Sequence, residues 1–178
     1  ILMVAYVSEA ALMTNSFIEQ GVKPKAFIAT SGGFADPTYF DLTGDNCEYF
    51  FDISTWEPDV NRPYSQEANE KFTEKYGYGM NAEAVKAYSA MYIIADALER
   101  AGSTDPDAIC QALAETNLTE GPQQMYSSAI TFDETGQMED APLVISQFRK
   151  VDGVMERVTV WPESDAREGW APAFPYNK

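Results

Sequence analysis

An apolar run, Ile1-Leu2-Met3-Val4-Ala5-Tyr6-Val7, gives way at once to helical spacing, with Leu12, Met13, Phe17 and Ile18 on one stripe and Gly21 as its stop. A run that apolar predicts a strand inside a parallel sheet, with neighbours on both sides. The following helix is expected to start at Ser8 or Glu9. Lys23-Pro24-Lys25 then leads into a short strand, Ala26 to Ala29, completing a β-α-β unit with parallel strands. The pattern reads as the later part of a larger α/β protein.

Asp36-Pro37, an N-cap followed by proline at the first helical position, predicts a short helix ended by Gly44. Tyr49 to Ser54 reads as a strand, and Pro63 as lying at or near the start of a helix through Phe72 to Tyr76. Asn81 caps the strongest helical pattern, in which Ala84, Val85, Tyr88, Met91, Tyr92, Ala95 and Leu98 cover more than one stripe. Gly102 ends it, and Thr104 or Asp105 with Pro106 starts another. Residues 115–128 lack a period and read as the longest loop. Three strands follow: Ala129 to Phe132, Leu143 to Phe148, and Met155 to Trp161 behind an Asp152-Gly153 hairpin turn.

Composition narrows the chemistry. Asp and Glu total 28 against 12 Lys and Arg, a net charge of −16, which repels nucleic acid and anionic membranes. There is no histidine, so the commonest neutral-pH acid/base and metal ligand is missing. Cys47 and Cys110 stand in separate contexts and read as two buried thiols. Gly32-Gly33 lacks the spacing of a phosphate-binding loop, and Asp133 to Gly136 reads as a turn rather than a calcium loop. Carboxylate catalysis has no singled-out pair. No cofactor or metal is expected, and an enzyme is the weakest reading.

Several segments, in order, carry a family resemblance: Lys23-Pro24-Lys25 with Gly32-Gly33-Phe34-Ala35-Asp36-Pro37, Phe72 to Gly77, Tyr88 through Ala95 to Gly102, Phe132-Asp133-Glu134 with Gly136-Gln137, and Ala141 to Val144. Together they resemble the solute-binding proteins of branched-chain amino-acid ABC transporters. The resemblance implies an α/β chain that is a portion of a type I periplasmic binding fold, with parallel sheets, helical layers and the N-terminal lobe absent. It implies three segments: 1–58 in the C-terminal lobe, 59–127 returning as helices to the N-terminal lobe, and 128–178 as crossover, hairpin and tail. It further implies extracytoplasmic capture of a small polar solute (an amino acid, or a related carboxylate or amide) for an ABC permease. The location would be periplasmic or extracellular, or membrane-tethered in a Gram-positive or archaeal host. A missing N-terminal segment or a second copy of the chain would complete the fold.

Within that resemblance the ligand-binding candidates are Tyr6, Ser8, Ser31, Gly32, Phe34 and Trp56. Tyr6 aligns with a ligand-contacting aromatic, and its ring and hydroxyl could cover or hydrogen-bond a solute. Ser8 could serve a ligand or simply cap the helix. Ser31 falls where amino-acid binders commonly carry a carboxylate for the ligand ammonium, a charge serine cannot supply; Glu9 is the candidate substitute. Gly32 and Gly33 permit close backbone approach, Phe34 could line the cleft, and Trp56 could be an aromatic wall or part of the hinge. Tyr88 reads as core. A non-transporting fragment and a ligand-sensing domain of the same fold stay open beside the transport reading.

Overall fold

The computed structural model describes residues 1–30 and 32–175. The elements run β1 (Leu2–Val4), α1 (Val7–Glu19), β2 (Ile28–Thr30), α2 (Gly32–Ala35), α3 (Pro37–Thr43) and β3 (Phe51–Ser54). Next come α4 (Ser65–Tyr76), α5 (Ala82–Ala101), α6 (Pro106–Ala114), β4 (Asn117–Leu118) and β5 (Ile130–Thr131), and finally β6 (Val144–Val151) and β7 (Val154–Trp161). The chain divides into two compact units, one formed by Ile1–Asn61 with the chain from Leu143 on, the other by Arg62–Pro142.

The first unit is built on a five-stranded sheet of order β1-β2-β3-β6-β7. β1, β2 and β3 are parallel, and β6 and β7 join them antiparallel. Alternation along each strand divides its side chains between two faces. On one face Met3, Phe27, Ala29, Phe50 and Phe148 pack with Ala10 and Ala11 of α1, Phe34 of α2 and Tyr39 of α3. Phe27 and Phe50 stack with ring centroids 4.1 Å apart, and burying each such ring is worth about 2–3 kcal/mol. Phe51, Val158 and Val160 form a second cluster with Ile28, Ile145 and Trp170 packed against it. The tail is held there by Gln147, whose amide donates to Ala173 O at 2.7 Å and accepts from Ala173 N at 3.0 Å. The Asp152-Gly153 turn has φ of 50° and 86°, both left-handed, the geometry a tight hairpin demands.

The second unit is largely helical. Asn81 Oδ1 accepts the Ala84 amide at 2.9 Å to cap α5, and Asp105 Oδ1 accepts the amides of Asp107 and Ala108 to cap α6. Arg100, paired with Asp96 at 2.6 Å, also donates to Ala112 O, tying α5 to α6. Between α4 and α5 lies an open groove of about 570 Å³ lined by Phe72, Tyr76, Met80, Tyr88 and Met91 among others. Met91 is 64% exposed, and Tyr92, Ile94 and Leu98 on the same helix are exposed as well. No helix among the described residues is long and apolar enough to cross a membrane.

Several expectations change. The opening strand covers only Leu2–Val4 and is an edge strand among the described residues, paired with β2 alone. Only Met3 is buried in it, whereas Leu2 and Val4 are 66% and 67% exposed, so one face rather than two is covered. α1 starts at Val7, with Tyr6 as its N-cap, so Ser8 is a helical residue and not a cap. α4 begins at Ser65, close to Pro63 as the sequence indicates, with Tyr64 turning the chain at φ 64°. The aperiodic stretch 115–128 contains β4 and a 3₁₀ turn, Pro122–Met125. Cys47 is buried, but Cys110 lies on the exposed side of α6. Tyr88 borders the open groove instead of filling a core. β6 and β7 pair into the first unit's sheet, so the chain returns to that unit at Leu143.

Candidate functional site

Parallel pairing decides where a ligand face can form. Val4 is in register with Thr30, and Thr30 with Ile53, so β1, β2 and β3 end together. The segments that leave them, residues 5–8, 32–34 and 55–57, therefore emerge at one carboxyl edge of the sheet. In open α/β sheets that edge is where ligands bind.

Tyr6 is open there, 83% exposed. Its carbonyl accepts the Ala10 amide at 2.8 Å, but its side chain caps nothing. Among the described residues α1 thus begins without a side-chain N-cap for its first-turn amides, whose positive end faces the edge. Ser8 and Glu9 are exposed in that first turn. Gly32 is exposed and has open space where a Cβ would stand. Gly33 is the opposite: a Cβ built on it would lie 2.3 Å from Ala5 O and 2.7 Å from Tyr6 Cα. Only glycine fits, and the fit presses α2 directly onto the Tyr6 backbone. Ser31 lies outside the described residues.

Phe34 and Trp56 are both buried. Phe34 is fully buried in the main core and meets Tyr39 edge-on at 5.3 Å, so it anchors the loop rather than lining a cleft. Trp56 is buried too, with its carbonyl accepting from Ser54 Oγ at 3.0 Å, and offers no open aromatic wall.

Beneath this edge lies a cluster absent from the expectations. Arg157 on β7 reaches Glu57 through Nε at 2.9 Å and again through Nη2, reaches Asp52 Oδ2 at 2.6 Å, and donates Nη1 to Phe34 O at 2.9 Å. Its guanidinium also lies over the Phe148 ring at 5.6 Å. Asp52 and Glu57 are both buried, and Ser146 Oγ contacts Glu57 at 3.5 Å. Burial pushes the Asp52 carboxyl up to about 6 in spite of the adjacent Arg157, and Glu57 adds to the push. Burial opposes the charge on Arg157, but Glu57 and Asp52 outweigh it and hold the guanidinium firmly protonated. About a hundred residues separate Arg157 from its partners, so spacing could not reveal the cluster. The available signal was an aspartate inside Tyr49-Phe50-Phe51-Asp52-Ile53, which demands a buried cation.

A family profile described as "Periplasmic binding protein" matches residues 1–151. Over 143 residues the chain is 28% identical to Leu/Ile/Val-binding protein homolog 2 of Brucella abortus, an alignment covering 80% of this chain and 36% of the relative. The crystal structure of a leucine-binding protein, LivK, from Thermotoga maritima superposes with a TM-score of 0.72 at 24% identity, over 94% of this chain and 44% of that one. The branched-chain amino acid transporter substrate-binding protein LivJ of Streptococcus pneumoniae, in complex with isoleucine, gives 0.67 at 19% identity, over 89% and 44%. These structural likenesses establish the fold, that of type I periplasmic binding proteins. The chain spans about 36% of the length of the curated relatives it matches.

Proposed function

Because the chain belongs to the periplasmic binding protein family, we propose that it supplies one face of a cleft that captures a small amino-acid-like solute outside the cytoplasm. The observation that carries this reading is the meeting of Tyr6 and Gly33 at the shared carboxyl edge of β1 and β2. Tyr6 would lie against the solute's apolar part, and its hydroxyl is free to donate or accept. The first-turn amides of α1, beside Ser8, suit a carboxylate or amide group. Gly32 completes the rim among the described residues. The mechanism is binding without chemistry. A second lobe, from further sequence or from a second copy of the chain, closes on the first, and the added contacts favour the closed form. An ABC permease then accepts the solute.

The residues also bear on which solute. Ser31 brings no negative charge to meet an ammonium, and Glu9 is the only carboxylate this reading places at the rim. Calorimetric titration with leucine, isoleucine, valine and 4-methylpentanoate tests this. Stoichiometric binding of at least one, weakened about 10-fold or more by Tyr6→Ala, supports the reading. Comparable affinity for leucine and 4-methylpentanoate identifies the carboxylate and side chain as the recognised parts. No binding of any of the four, or binding indifferent to Tyr6→Ala, contradicts it.

A further inference from the structure

We infer that Arg157 is a positioning residue for the ligand face: clamped by Glu57 and Asp52, it holds the Phe34 carbonyl and so sets Gly32 and Gly33 against Tyr6. The inference rests on the solute-binding reading of that face.

The loop has little structure of its own. α2 is only four residues long, too short for its internal hydrogen bonds to fix it. Among the described residues three outside anchors place it: the Gly33 backbone against Ala5 and Tyr6, the Phe34 ring in the core, and the Phe34 carbonyl on Arg157. The last is the only one that is directional and charge-assisted, and such bonds are the strong ones. Arg157 can serve it because the rest of its fork is already occupied, with Nε and Nη2 on Glu57 and Nη2 on Asp52. Phe148 lies along its face. The fork thus ties together β3, the segment after it, β7 and the loop before α3. Asp52 Oδ1 is buried with no hydrogen-bond partner among the described residues, so the cluster has no spare donor to replace a lost one. A lysine keeps the charge but lacks the planar fork, so it cannot serve Glu57, Asp52 and the carbonyl at once.

Hydrogen–deuterium exchange on the full chain tests this, with Arg157→Lys and Glu57→Gln beside wild type. The expected result is exchange at least 10-fold faster in Arg157→Lys at amides 33–36 and at Ala10, whose amide donates to Tyr6 O, with the second half of α1 and all of α5 unchanged. Glu57→Gln, which keeps the volume and one acceptor oxygen, is expected to give about 3-fold at the same amides. It carries the test alone should Arg157→Lys fail to fold. Unchanged exchange at these amides, or acceleration spread evenly through the sheet, overturns the inference, since the cluster would then serve only the core. A parallel titration with L-leucine separates the two readings. Where wild type binds it, a loss of about 10-fold in Arg157→Lys is expected, and unaltered affinity counts against positioning. A wild-type chain that takes no leucine counts against the choice of solute and leaves the exchange result to decide the role of Arg157.

Discussion

The sheet-bearing unit and the helical unit dispose of their apolar residues differently. In the first, Phe27, Phe34, Tyr39, Phe50 and Phe148 are wholly buried by partners drawn from both ends of the chain. In the second, α5 buries Val85 and Ala97 but leaves Met91 and Ile94 in the open. The sheet unit therefore derives its stability from long-range packing, and the helical unit more from caps and local pairs such as Arg100 with Asp96. The candidate ligand face lies on the better-packed unit, as a binding loop needs a rigid support. All three tryptophans, Trp56, Trp161 and Trp170, also belong to that unit, so their fluorescence reports it separately.

The sharpest way to break this contrast is to empty the sheet unit's core. Phe27→Ala is expected to cost about 3–5 kcal/mol in the urea transition followed by tryptophan fluorescence. A loss below about 1 kcal/mol would mean that this core is not the long-range support described.

A second test uses the buried cluster. Folded Asp52 releases its proton near 6 and unfolded Asp52 near 3.8. Between those values the folded state holds the extra proton, so this group's contribution to stability is full below about pH 4 and is lost as pH rises towards 6. The charges facing Asp52 are Arg157 and Glu57, and the Tyr39 hydroxyl lies within their influence. The stability of wild type relative to Asp52→Asn should accordingly fall by about 2–3 kcal/mol from pH 4 to pH 6. A flat difference would show that Asp52 stays ionised in its pair with Arg157.

The helical unit should respond to smaller, local changes. Asn81→Ala removes the α5 cap and is expected to cost about 1 kcal/mol, read as lost far-UV helicity on denaturation. The tryptophan transition should barely move. Smallest of all, Met91→Gln is expected to change stability by less than about 0.5 kcal/mol. A substantial loss there would mean that the open α5 face is covered in solution.

Much of this was legible in local signals. Asp36-Pro37, Asn81, Asp105-Pro106 and Asp152-Gly153 mark their helices and turn because capping and turn chemistry act over three or four residues. The parallel β-α-β unit follows from apolar run, helix period and strand in succession. What stayed hidden depends on partners distant in sequence. Ile1 to Val7 looks like an inner strand, but its pairing is a property of the whole sheet. Phe34 follows two glycines and looks exposed, yet the aromatic cluster of Tyr39 and Phe148 takes it inward. The Arg157 cluster joins residues about a hundred positions apart. The resemblance points to Tyr6 and Gly32 as candidates, whereas the need for glycine at position 33 emerges only when Ala5 and Tyr6 stand beside it.

The central claim is that the turn after β1 and the turn after β2 form a single ligand face. Amide chemical-shift mapping by NMR during titration with L-leucine tests it most directly, since it registers even weak, one-lobed binding. The account predicts saturable shifts confined to residues 6–9 and 32–34, abolished by Tyr6→Ala and displaced by Gly33→Ala. Shifts centred on the α4–α5 groove, or none at millimolar leucine, would contradict it.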